Sequence, residues 1–224
     1  MTDFPFAIVG FDLDGTLVDT SGDLTAAVNH ALRLAGRPPL TPHEVEPMIG
    51  GGAKHMLQQT LAADGAEVPA DEGKRLYRAM LAYYEEHVSM LSRPYPGAVE
   101  ALDLLAARGV RLGVVTNKFE RLARKLLGDL GLLERFGTLL GGDTLGKENA
   151  KPSGAPVLRM MDDLSGGRTA FIGDSRYDIQ AARNAGVTAI AVGFGFPLEP
   201  VEALGADAVL DDYANLLPLL ERLG

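Results

Sequence analysis

Not one of the 224 residues is cysteine. Disulfides, thiolate metal sites, zinc fingers and cysteine nucleophiles are therefore all excluded. No apolar run approaches the roughly 18 residues that a bilayer span requires, and Met1-Thr2-Asp3-Phe4-Pro5 is not a basic segment leading into an apolar one. The expected location is cytoplasmic. Basic residues are in the minority, 21 Lys and Arg against 30 Asp and Glu, for a net charge of −9 at pH 7. That balance argues against nucleic acid or an anionic membrane as partner. What remains is 46% hydrophobic and 23% charged, the composition of a soluble globular protein with one large domain or two modest ones. Internal repeats and low-complexity tracts are lacking.

Short β-rich runs recur between helical patterns, which is the sequence form of βαβ units on a parallel sheet. The expected strands are Phe6 to Phe11, Val110 to Val115, Thr138 to Leu140, Thr169 to Ile172, Thr188 to Val192 and Ala208 to Leu210. Continuous apolar runs of this kind suit strands covered on both faces. Helices are expected over Ala98 to Arg108, Phe119 to Leu130, Ala155 to Leu164 and Asp178 to Ala185, three of them closed by Gly109, Gly131 and Gly186. From Thr20 to Ser92 the periodicity turns helical throughout. Leu24, Val28 and Leu32 share one face, Thr41-Pro42-His43-Glu44 has the form of a capping box, and Pro47 predicts a short or kinked helix there. After the Gly50-Gly51-Gly52 loop come helices from about Ala53 to Ala63 and Asp71 to Met90, and Pro94-Tyr95-Pro96-Gly97 reads as a connector. The expectation is a doubly wound α/β fold, residues 1–17 and 93–224, with an all-helical domain, residues 18–92, inserted.

Four elements carry chemistry. Asp12-Leu13-Asp14-Gly15-Thr16 follows the first strand, and alternation along an extended chain puts Asp12 and Asp14 on one side. Gly173-Asp174-Ser175 follows another strand, with Asp178 one helical turn later. The carboxyl ends of strands in a doubly wound sheet line one crevice, so these acids together make an oxygen-only site suited to Mg²⁺. Thr116-Asn117 ends a third strand and offers a hydroxyl and helix-start N–H groups for phosphate. Lys151, before Pro152, is the fourth, with Lys147 as a competing choice. Each alone has an ordinary reading: an acidic turn, an N-cap, a solvated lysine.

In their order and spacing, these motifs resemble those of the haloacid dehalogenase superfamily phosphatases, over nearly the whole chain. The match runs through Asp12-Leu13-Asp14-Gly15-Thr16, Thr116, Lys151-Pro152 and Gly173-Asp174 to Asp178, and the helical insertion resembles that family's smaller cap, a Rossmann-type core bearing a mobile helical lid. Within the superfamily the chain most resembles phosphoglycolate phosphatases, on Ile49-Gly50-Gly51-Gly52, Gly141-Gly142-Asp143, Lys151-Pro152 and Gly193-Phe194-Gly195. The resemblance implies that Asp12 is the nucleophile, forming an aspartyl-phosphate, and that Asp14 protonates the leaving group and later activates water. It implies Mg²⁺ held by Asp12, Asp174 and the backbone carbonyl of Asp14, with Asp178 steadying that shell beside Ser175. Thr116, Asn117 and Gly15 would surround the phosphoryl group, and Lys151 would neutralise its charge. A chain at −9 needs such a local positive field to admit an anion.

Asp14 favours phosphoryl chemistry on an oxygen ester, since dehalogenase and phosphonate-cleaving relatives do without an acid there. Substrate selection is expected at the loop of Gly51, Gly52 and Lys54, where lysine would meet a carboxylate such as that of 2-phosphoglycolate. His55 and His87 are expected on helix surfaces and Tyr83 and Tyr84 in packing. The chain departs from the family where Gly154 replaces a common proline, which predicts a looser Lys151 loop, and in Pro47 with its three following glycines. Other readings are a sugar-phosphate or nucleoside-monophosphate phosphatase, a β-phosphoglucomutase-like phosphotransferase, a phosphonate hydrolase using Lys54, and a Mg²⁺-binding receiver module, which would be about half this length. The expected partner is a small phosphorylated metabolite, without nucleic acid or membrane, and the expected state a monomer or homodimer.

Overall fold

In the computed structural model, residues 4–63, 68–196 and 199–224 are described. The strands in chain order are β1 (Ile8–Phe11), β2 (Val18–Asp19), β3 (Arg93–Pro94), β4 (Arg111–Val115), β5 (Thr138–Leu140), β6 (Thr169–Gly173), β7 (Thr188–Val192) and β8 (Ala208–Leu210). All four residues of Ile8-Val9-Gly10-Phe11 are buried, as an apolar run without alternation requires of a strand covered on both faces. β1 pairs in parallel with β4 on one side and β6 on the other, Phe11 lying opposite both Val114 and Ile172. The sheet order is β5-β4-β1-β6-β7-β8. The chain thus travels one way from β1 to β5, then crosses back to β6 and travels the other way. The crevice at this reversal lies outside the carboxyl ends of β4, β1 and β6.

Helices cover both faces. Ile8, Val115 and Phe171 pack with Val157 and Met160 of α7 (Ala155–Asp163) and Ile179 of α8 (Arg176–Asn184). Val9, Phe11 and Val114 point the other way, into a core shared with α5 (Ala98–Ala107), α6 (Glu120–Asp129) and α9 (Leu216–Leu223). That second core runs on without a break to Leu24, Val28, Met56 and Met80 of the helical stretch.

That stretch holds α1 (Ser21–Leu34), α2 (Pro42–Val45), α3 (Ala53–Ala62) and α4 (Ala70–Glu86), with no strand between them among the described residues. Leu24, Ala27, Val28, Ala31 and Leu32 form the buried face of α1. The Thr41 and Glu44 capping box is present, and Pro47 falls in a 3₁₀ turn after the four-residue α2. Helix α4 stops at Glu86, short of the expected Met90. Beyond that end, the buried Asp23 carboxylate on α1 accepts from Leu91 N (3.0 Å), Ser92 N (2.8 Å) and Ser92 Oγ (2.6 Å), which holds these residues away from a continued helix. Residues 18–19 and 93–94, where this stretch leaves and rejoins the sheet-bearing part, pair as the antiparallel ladder β2–β3. Two residues per strand leave no alternation to detect in sequence.

Candidate active site

The three central strands of the crevice each end on a polar residue. Asp12 follows β1, Thr116 follows β4 and Asp174 follows the last pair of β6, and all three are buried. Lys151 reaches this point from the loop before α7. Its Nζ donates to Asp12 Oδ1 (2.6 Å), Asp178 Oδ1 (2.5 Å) and Val115 O (2.9 Å), which commits all three ammonium protons. Lys147 also lines the cavity but is exposed and is not among the partners of these carboxylates. Asp178, in the first turn of α8, spends its other oxygen on Ser175 N (3.0 Å) and Ser175 Oγ (2.5 Å). The same bonds cap the helix, which is why α8 begins two residues earlier than its apolar pattern suggests.

The Lys151 loop is held from two sides, by Asn117 Nδ2 on Lys151 O (3.1 Å) and by Asn184 Nδ2 on Pro152 O (2.8 Å). Gly154 does not loosen it. A Cβ there would meet the Asn184 carbonyl carbon at 2.7 Å, so glycine lets the loop pack against the end of α8.

Asp12, Asp174 and Asp178 each present an oxygen within 4.8 Å of the others'. Asp174 Oδ2 accepts from Phe196 N (2.9 Å), while its Oδ1 is buried without a partner. An unpaired carboxylate oxygen is costly to bury unless a cation or proton meets it. Burial pushes the Asp12 carboxyl up to about 7, the pull of Lys151 offsetting only part and Asp178 adding to the rise. Burial, then Asp178 and Asp12, likewise raise Asp174 well above the carboxylate range. Burial alone would depress the Lys151 ammonium, but Asp12 and Asp178 more than reverse that. Three carboxylates and one ammonium leave a formal charge of two negative, which a divalent cation would cancel. The all-oxygen donor set and the orphaned Asp174 oxygen fit a hard ion such as Mg²⁺.

Asp14 turns toward the cavity and has partners of its own. Lys118 Nζ donates to its Oδ1 (2.6 Å) and Oδ2 (2.9 Å), and Thr20 Oγ1 donates to Oδ1 (2.8 Å). The Lys118 backbone N–H donates to Thr116 Oγ1 (3.2 Å), fixing the turn that carries both residues. No sequence motif marks Lys118. Its only signal was position: two residues beyond Thr116, in the same strand-end loop. Gly15, at φ +81°, passes so close to Asp174 that a Cβ would overlap the carboxylate.

These groups open on a cavity of about 300 Å³. Asp12, Asp14, Thr116, Lys118 and Lys151 form its polar end, and Leu24, Met56, Met80 and Tyr84 supply apolar wall from the helical stretch. Gly51, Gly52 and Lys54 also line it, the Lys54 side chain being exposed. Asn117 Nδ2 ties this glycine loop to the strand end through Gly50 O (3.0 Å). His55 is exposed, and Tyr83 stacks between His30 and His87. Tyr84, expected only to pack, is buried with its hydroxyl unpartnered.

Among the described residues no helix is long and apolar enough to cross a membrane. Over 222 residues, 98% of this chain and 94% of the relative, the sequence is 41% identical to a phosphoglycolate phosphatase of Agrobacterium fabrum. It is 39% identical to the enzyme of that name from Caulobacter vibrioides, covering 94% of this chain and 89% of that one. The crystal structure of a predicted phosphoglycolate phosphatase from Haemophilus somnus superposes with a TM-score of 0.88 at 32% identity, over 96% of this chain and 97% of that one. The model of haloacid dehalogenase-like hydrolases matches residues 9–192, which take in the ends of β1, β4 and β6, and the chain belongs to that family.

Proposed function

We propose that the protein is a Mg²⁺-dependent phosphomonoester hydrolase that works through an aspartyl-phosphate, with 2-phosphoglycolate as its substrate. The observation that carries this reading is the buried group of Asp12, Asp174 and Asp178 around Lys151, two charges short of neutrality, at one end of a cavity. The relatives' shared name supports the choice of substrate.

Asp12 and Asp174, with the Asp14 backbone carbonyl, would hold the metal, and Asp178 would steady that shell through Lys151 and Ser175. Bound there, Mg²⁺ would supply positive charge that lets an anionic nucleophile approach an anionic phosphate. Thr116, Asn117 and the Gly15 turn surround the phosphoryl oxygens, and Lys151 offsets charge shared between Asp12 and the phosphate. An Asp12 carboxylate oxygen attacks phosphorus and the bond to the ester oxygen breaks. Asp14 gives its proton to the departing alkoxide. In the second half Asp14 takes a proton from water, whose oxygen attacks phosphorus, and inorganic phosphate leaves as the Asp12 carboxylate is regenerated.

Residues 18–92 serve as a cap whose approach shuts the cavity, turning about the β2–β3 ladder. Gly51 and Gly52 shape the rim and Lys54 draws the anion in. Purified protein assayed on phosphorylated metabolites with Mg²⁺ or EDTA tests the reading. Turnover that needs Mg²⁺ and ranks 2-phosphoglycolate first supports it; metal-independent turnover, or none, rejects it.

A further inference from the structure

We propose that Lys118 and Tyr84 form the subsite that reads the leaving group, and that it takes a carboxylate borne one carbon from the ester oxygen. This rests on the phosphatase reading above and assigns its selectivity to residues other than the exposed Lys54.

Lys118 is a buried cation at the cavity wall, its side chain 5% exposed. Two of its ammonium protons go to the Asp14 carboxylate, and the third faces the Tyr84 ring, whose centroid lies 4.8 Å from Nζ. Tyr84 comes from α4 and lies against Lys118, and its buried hydroxyl finds no acceptor for its own proton. A buried donor left unpaired is destabilising, so the site favours a ligand that satisfies it. Burial holds the Tyr84 hydroxyl protonated, pushing it up to about 12. Lys118 and Tyr84 therefore stand side by side at the cavity wall, one supplying a charge whose protons are engaged and the other an unspent hydroxyl donor.

Connectivity sets what lies against them. Asp14 meets the leaving oxygen, and Lys118 is hydrogen-bonded to Asp14, so the atoms facing Lys118 are those two bonds past that oxygen. In 2-phosphoglycolate that position is the carboxylate carbon. Leu24, Met80 and Leu122 line the same wall. They offer no partner to the hydroxyls of a sugar phosphate, which would be desolvated without compensation. The same apolar surroundings strengthen the attraction between Lys118 and an anion. Short phosphooxy-carboxylates are favoured, neutral esters come next, and cationic leaving groups last.

The test compares kcat/KM with Mg²⁺ for 2-phosphoglycolate, ethyl phosphate and phosphoethanolamine in the natural protein, Lys118→Met and Tyr84→Phe. The natural protein is expected to rank them in that order. Lys118→Met should cut the ratio of 2-phosphoglycolate to ethyl phosphate by about 10- to 100-fold, the scale of a charged hydrogen bond, and relieve the penalty on phosphoethanolamine. Tyr84→Phe, which keeps the ring and its packing, should cut the ratio by about 5- to 10-fold. If Lys118→Met does not fold, Tyr84→Phe alone decides. Equal losses on all three substrates would mean that Lys118 only positions Asp14 and would overturn the inference, as would a natural protein indifferent to the carboxylate. Turnover of none of the three by the natural protein would reject the phosphatase reading itself, and the subsite with it.

Discussion

The two ends of the cavity are built on opposite plans. At the sheet end, Lys151 is hydrogen-bonded to Asp12 and Asp178 and Lys118 to Asp14, and all of these but the half-buried Asp14 are buried. At the helical end, leucine, methionine and alanine side chains leave space, and one tyrosine hydroxyl is unspent. Charge packed this densely is stable only on a rigid frame, because every carboxylate must be met by a cation, a proton or an N–H. The apolar end carries no such demand. On the proposed reading the first end carries the chemistry and the second, where it meets Lys118, the selection, so variants at the two ends should fail differently.

The largest effect is expected from Asp12→Asn. It should lower kcat by about 10⁴-fold or more while the protein stays folded, since an amide fills the same space without a buried charge. Thermal melting and a phosphomonoester assay check both halves, and near-normal turnover would remove Asp12 from its role. Lys151→Ala should cost about 10²- to 10³-fold in kcat, the usual price of one electrostatic donor. Lys147→Ala should change kcat less than about twofold, and equal damage from the two would assign the wrong lysine.

Metal and pH come next. The folded-state shift of Asp12 is upward, from 3.8 to about 7. Its contribution to stability is therefore complete below about pH 4 and is lost as pH rises through about 7 in the metal-free protein, and Asp174 moves in the same direction. Mg²⁺ binds the ionised carboxylates, so the rise in Tm that it causes should grow from about pH 5 to about pH 8. A Mg²⁺ increment that shrinks over that range would contradict the assignment of these acids as its ligands. The smallest effect belongs to the rim. Lys54→Ala should lower kcat/KM by about two- to fivefold at low salt and less at high salt, as steering by an exposed charge requires.

Much of the sheet end was legible in the sequence. Asp12, Thr116 and Asp174 each follow directly on a short apolar run, and a parallel strand fixes where its last residue emerges. Lys151 was chosen over Lys147 from the proline that follows it, but its partners Asp12 and Asp178 come from distant segments and could not be read locally. Lys118 was missed, since a lysine after a strand-end Thr-Asn looks like a solvated residue until Asp14 is brought against it from about a hundred residues away. Tyr84 shows the same limit: the α4 pattern marks it as buried, but whether its hydroxyl meets a partner is decided by α1 and the β4 loop across the cavity. Beyond α4, Leu91 and Ser92 are likewise held by Asp23, a residue of another helix. Strand ends are local and readable; pairings across the cavity are not.

The central claim is that Asp12 carries the phosphoryl group between the two halves of the reaction. Rapid acid quench of the natural protein with Mg²⁺ and ³²P-labelled substrate, followed by peptide mapping, tests it directly. Label bound to the peptide containing Asp12, appearing before phosphate is released and gone at completion, is the predicted result. Label on any other residue, or full release of phosphate with no labelled protein at any time, would contradict it.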